Sequence, residues 1–184
     1  MFRRAVQQEM MNPHTMLNYI GSIDHVCDQV IHKIDTTQDS RGFVDDINTL
    51  CNHYVFETVA IMLIGIPTEI LSGKKEGVDL FNNSVNIINA FKKYIIGPSI
   101  YHKLTGTYQK MLRLMTDFNA KCQTQIHEAI AKHEQDGSLE GTVLGALIKK
   151  HGADSNIPVM MAVDSMNAGG ESTGKCVLFT FIPT

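Results

Sequence analysis

The feature that most constrains this sequence is an apolar residue at every third or fourth position, repeated along most of the chain. The clearest instance runs from Met16 to Ile34, and a second runs from Phe43 to Thr58 and stops at Gly65-Ile66-Pro67. This spacing places apolar side chains on one face of a helix, whereas a half-buried strand needs alternation at every second position. Alternating stretches of useful length do not occur in the sequence. The pattern therefore predicts an all-α fold.

Four further helices are predicted between polar or glycine-bearing breaks. They run from about Val78 to Lys93, from Thr107 to His133, from Leu139 to His151 and from Pro158 to Phe181. In the second of these the expected buried stripe consists of Tyr108, Met111, Leu112, Met115, Phe118, Cys122, Ile126 and Ile130. A chain of 184 residues has the size of one domain. We expect residues 1–184 to form a single domain of about six helices.

Composition excludes several classes of protein. A net charge of −3 is too neutral for a dedicated nucleic-acid binder. The four cysteines are dispersed without a C-x-x-C pair, which favours a reducing, intracellular compartment. The N-terminus lacks the continuous apolar segment of a targeting signal, and the longest apolar run, about ten residues from Thr58 to Pro67, is too short to cross a bilayer.

Near the C-terminus, Gly169 and Gly174-Lys175 have the G-x-x-x-x-G-K spacing of a phosphate-binding loop. Cys176 stands where such a loop needs a Ser or Thr hydroxyl for magnesium, and the preceding residues have a helical pattern where a strand is required. A nucleotide-binding protein therefore stays open only as a minor alternative. A non-enzymatic helical interaction module is a second alternative.

The same stretch also contains an acid beside a hydroxyl, Glu171-Ser172, next to the glycine pair Gly169-Gly170. Serine inside a helix can bond back to the carbonyl four residues earlier, here Ala168, and this bends the helix. A carboxylate, a hydroxyl and a trapped water at such a bend can form a proton relay. The plainer interpretation is a glycine pair tolerated in a loosely packed helix. The histidines do not have the i, i+4 spacing of paired metal ligands, so we predict no metal site of protein side chains.

The run "AGGEST", from Ala168 to Thr173, resembles the A-G-x-D/E-T-T oxygen-activation motif of the cytochrome P-450 monooxygenases. "PVMMAVDSMN" before it is similar to the approach to that motif in the mitochondrial-type branch. Three other segments agree in order: "RRAVQQEMMNP" resembles the helix after W-x-x-x-R, "YVFETVAIMLIG" the W-x-x-E-S helix, and "YIIGPSIYHKLTGTYQKM" the region over the substrate entrance. The resemblance implies the central helical portion of the cytochrome P-450 fold.

The resemblance also implies an activity, namely haem-dependent insertion of one oxygen atom from O2 into an apolar substrate such as a sterol or another lipid. Electrons would come from a ferredoxin-type redox partner, and the mitochondrial inner membrane would be the location. The implied roles are oxygen activation and proton delivery for Glu171, Ser172 and Thr173, a position bordering substrate and haem for Asp164, Ala168 and Gly169, and haem-propionate binding for Arg3.

The chain departs from the family pattern in several places. Ser172 replaces the usual threonine, and the Trp of W-x-x-x-R would precede Met1. The E-x-x-R helix and the F-x-x-G-x-R-x-C-x-G loop, which supplies the thiolate ligand of the iron, do not occur in these 184 residues. We therefore expect the chain as given to be a truncated fragment that does not bind haem properly and is inactive. In such a fragment the apolar residues of the last helix would lose some of their packing partners, and the exposed apolar surface would make the fragment prone to self-association.

Overall fold

Helices form most of the protein, as seen in a computed structural model that describes residues 7–96, 106–153 and 155–180. No strand occurs within these ranges, so the predicted all-α class is confirmed. The helices are α1 (Pro13–Leu17), α2 (Ile20–Thr37), α3 (Ile47–Ile64), α4 (Lys75–Ile96), α5 (Thr107–Asp136), α6 (Val143–His151) and α7 (Asn156–Thr180). Most of the predicted irregular connection between α4 and α5 lies outside the described residues.

Local chemistry sets the ends of α3 and α6. The Asp46 carboxylate accepts a hydrogen bond of 3.0 Å from the Thr49 N–H and so caps the start of α3. Hydrogen bonds from the Thr49 side chain and backbone lower the pKa of Asp46. Gly65 ends α3 in the left-handed conformation, with φ of 77°. Thr142 caps α6, because its hydroxyl accepts the Gly145 N–H at 3.0 Å.

The single helix predicted from Met16 to Ile34 is wrong, since α1 and α2 are separated by a turn at Asn18-Tyr19. Both turn residues bind the start of α6 or the residues just before it, more than 120 positions away in sequence. Asn18 donates from its side-chain amide to the Gly141 carbonyl at 2.9 Å, and the Tyr19 hydroxyl accepts the Val143 N–H at 2.7 Å. Burial raises the pKa of Tyr19. These distant contacts stabilise a turn that the local apolar pattern does not reveal.

The core is centred on α3, which packs most extensively against α7 and also contacts α2 and α6. Helices α4 and α5 pack on each other, and both contact α7. The largest fully buried apolar side chains come from five helices and from two of the segments between them: Phe56, Ile64, Ile70, Leu80, Phe118, Ile126, Leu139, Leu144, Leu147, Met161 and Met166. The first half of α7 therefore lies inside the domain.

The predicted stripe of α5 is only partly buried. Met111, Phe118, Cys122, Ile126 and Ile130 are buried as expected, whereas three members nearer the start of the helix are exposed, namely Tyr108, Leu112 and Met115. Periodicity identifies the apolar face of a helix, but it does not tell where along the helix the neighbouring elements end.

Helix α3 is the one described helix that is long and apolar enough to cross a membrane. Half of that 18-residue span is buried against the rest of the domain. Core helices have the same length and hydropathy, and α3 occupies the core position here.

The only charged residue in the apolar part of α3, Glu57, is 1% exposed. One carboxylate oxygen accepts the Glu69 N–H at 3.0 Å, and the other accepts the Ile70 N–H at 3.3 Å as well as the Thr68 hydroxyl. None of these partners is a cation. The carboxylate thus satisfies buried donors of the segment that follows α3 and fastens this segment to the helix.

We predict that Glu57→Gln lowers the free energy of unfolding by about 2 kcal/mol, because an amide nitrogen would then face at least one backbone N–H that loses its acceptor. Urea unfolding of the chain measures this. The matched control is Glu76→Gln, whose side chain is 78% exposed, and it should change stability by less than about 1 kcal/mol. Equal effects of the two substitutions would contradict the anchoring role of Glu57.

Candidate functional site

Helix α7 carries the candidate site, and it is one continuous helix of 25 residues. It passes through Gly169-Gly170 without a break, as predicted. Residues 159–166 are helical, whereas a phosphate-binding loop needs a strand in that place. The G-x-x-x-x-G-K run therefore lacks the structural context in which it binds nucleotides.

Six of the seven predicted site residues fall within α7, and Arg3 lies outside the described residues. The side chains of Ala168, Glu171 and Ser172 also lie outside the described part, so the proton relay stays a prediction. Asp164 and Thr173 are exposed. The helix brings positions 168–173 into fewer than two turns, which keeps the acid and both hydroxyl residues in one short segment.

Gly169 is partly buried and lies directly against α3. A Cβ atom at this position would lie 3.1 and 3.3 Å from the two methyl carbons of Val59. Both distances are shorter than a comfortable carbon–carbon contact. The absence of a side chain at Gly169 therefore allows α7 to approach α3 closely beside the predicted motif. Val59 was not identified from the sequence, because no local signal links it to a residue 110 positions away.

Two of the three described cysteines, Cys51 and Cys122, do not fit the role of a haem thiolate ligand. Cys51 and Cys122 are buried, and burial raises the pKa of both thiols, that of Cys122 to about 12. Such thiols stay protonated near neutral pH, whereas the metal ligand is the thiolate. Cys27 is partly buried, with its sulfur 3.7 Å from the Tyr54 hydroxyl oxygen. Within the described ranges no group of three or more His, Cys, Asp or Glu side chains could hold a metal ion.

A second polar region lies in a cleft of about 480 Å³ that is lined by α2, by the end of α3 and by the segment that follows α3. Its walls include His25, Gln29, Glu57, Glu69 and Ser72. His25 Nε2 and Gln29 Nε2 are 3.1 Å apart, and Glu69 forms an ion pair of 2.8 Å with Lys74. Because the hydrogen bonds of Glu57 are directed into the protein segment after α3, this carboxylate has a structural role.

The comparisons with known proteins give no further assignment. No family model matches the chain, and no curated protein matches it significantly.

We predict that Cys122 resists alkylation in the native protein. With a pKa of about 12, only about one thiol in 10,000 is ionised at pH 8, and the side chain is also fully buried. A time course of iodoacetamide labelling at pH 8, read by peptide mass spectrometry, should show Cys27 modified first, with Cys122 modified only in urea. Native labelling of Cys122 at the rate of Cys27 would contradict the buried placement.

Proposed function

We propose that this chain is the central helical region of a cytochrome P-450 monooxygenase of the mitochondrial type. The observation that supports it best is the position of the AGGEST run, which lies within a continuous helix packed against the central helix of the domain. An oxygen-activation motif needs such a helix, because the acid and the hydroxyls must keep fixed positions relative to each other.

The proposed chemistry of the segment is proton transfer. Glu171 is the group that gains and loses the proton, and the hydroxyls of Ser172 and Thr173 are the hydrogen-bonding groups that orient it. Haem, when bound by a cysteine thiolate, supplies the oxygen chemistry of this family. Because the F-x-x-G-x-R-x-C-x-G loop does not occur in these 184 residues, we propose that the thiolate comes from a different part of the polypeptide. The proposed substrate is an apolar molecule such as a sterol, the electron donor a ferredoxin-type protein, and the location the mitochondrial inner membrane.

Two features of the structure agree with this proposal over its alternatives. The helical state of residues 159–166 disfavours nucleotide binding at the glycine-lysine run. The close approach of α3 at Gly169 explains a glycine in the motif by its small size.

The proposal is tested by sequencing the transcript on both sides of the codons for this chain and expressing the complete reading frame. We predict an in-frame E-x-x-R helix and an F-x-x-G-x-R-x-C-x-G loop downstream. A complete reading frame that lacks the cysteine loop would sink the proposal.

In the protein made from that reading frame, we predict that Glu171→Gln lowers product formation at least tenfold, because general acid–base groups typically contribute about 10²–10⁴ in rate. Substrate affinity should change little. Glu134→Gln is the matched control, since Glu134 is exposed on α5 and far along the chain from the motif. Unchanged turnover in the Glu171→Gln protein would remove Glu171 from the proposed relay.

For the chain of 184 residues alone, we predict no thiolate spectrum after reconstitution with haem, because the buried thiols are protonated. The carbon monoxide difference spectrum of the reduced sample is the measurement. A red-shifted thiolate Soret band that disappears on mutating one of the four cysteines would show that this cysteine binds the iron.

A further inference from the structure

The contact between Val59 and Gly169 joins the centre of the domain to the predicted motif. Val59 lies on α3, two residues after the buried Glu57, and Gly169 lies two residues before Glu171 on α7. Helices α3 and α7 have the most extensive packing of any pair of described helices. A change in spacing at this contact would therefore act on both helices at the motif.

There is little free space between Val59 and Gly169. Both Val59 methyl carbons would be within 3.3 Å of a Cβ atom at position 169. A β-branched side chain in a helix strongly prefers one χ1 rotamer, so Val59 cannot easily rotate away. The backbone hydrogen bonds of an α-helix make it stiff, so a shift at Gly169 carries the next turn with it. This next turn contains residues 171–173.

We propose that Val59 is a positioning residue for the segment 168–173, because its side chain sets the distance between α3 and α7 through its contact with Gly169. The assignment of a catalytic role to that segment rests on the proposed monooxygenase function. The positioning itself does not, since it follows from the sizes of two side chains and the distance between two helices. The combined size of residues 59 and 169 then decides where Glu171 and Ser172 are held.

Substitutions that change the sizes of residues 59 and 169 in opposite directions test this proposal in the chain of 184 residues, without haem. Gly169→Ala adds a methyl group against Val59, Val59→Ala removes the opposing methyl groups, and the double variant combines both changes. Gly21→Ala is the matched control for the helix propensity of alanine, because a Cβ atom at Gly21 meets nothing within 4 Å.

The measurements are the backbone amide chemical shifts of residues 156–180 and the thermal midpoint. A substitution at position 169 alters the amide signals of its sequence neighbours in any case, so the deciding variant is Val59→Ala, which lies 110 positions away. We expect Val59→Ala to displace the amide signals of residues 171–173 more than those of residues 156–163, and Gly169→Ala to lower the midpoint by about 2–4 °C. The double variant should return the signals of residues 171–173 towards the wild-type positions, and Gly21→Ala should leave them unchanged.

A role limited to general stability predicts a different result. In that case the midpoint falls, but the signals of residues 168–173 do not move selectively, and the double variant gives no recovery. That outcome, or the absence of a selective shift of residues 171–173 in Val59→Ala, would overturn the proposal. Because the readout needs neither haem nor turnover, its failure is distinct from a failure of the monooxygenase assignment.

Discussion

The packing of α3 against α7 is the interaction on which the rest of this structure depends. Helix α3 lies at the centre of the core, and α7 places its first half, with Met161 and Met166, inside the domain. The two helices approach each other closely where Gly169, within the AGGEST run, faces Val59. The same contact that stabilises the core therefore determines the location of the candidate site. A substitution at this contact is expected to affect stability and site geometry together.

Helix α3 has a second role through Glu57. A buried acid inside an apolar helix is costly unless its oxygens are satisfied, and here they accept two backbone N–H groups and one hydroxyl from residues 68–70. The segment after α3 is thereby held to the helix that also contacts α7. The structure supplies a physical reason for an acid at this position. That reason is structural and does not require catalysis.

Much of the helix content could be predicted from apolar periodicity, since the predicted α4, α5 and α7 agree closely with the observed helices. The break at Asn18-Tyr19 could not be predicted, because the hydrogen bonds that stabilise it come from Gly141 and Val143. Exposure of Tyr108 and Leu112 was missed because periodicity does not locate the end of a neighbouring helix. In the site, Glu171, Ser172 and Thr173 could be recognised because they are consecutive in the sequence. Val59 was not, since a contact between distant positions leaves no local pattern.

The central claim is that the AGGEST helix belongs to a haem-thiolate monooxygenase, and the carbon monoxide difference spectrum of the reduced protein tests it most directly. The protein must be made from the complete reading frame that encodes this chain, since the F-x-x-G-x-R-x-C-x-G loop does not occur in these 184 residues and burial raises the pKa of the Cys51 and Cys122 thiols. The account predicts the red-shifted Soret band of a thiolate-ligated haem–carbon monoxide complex. A spectrum without that band, from folded protein supplied with haem, would contradict it.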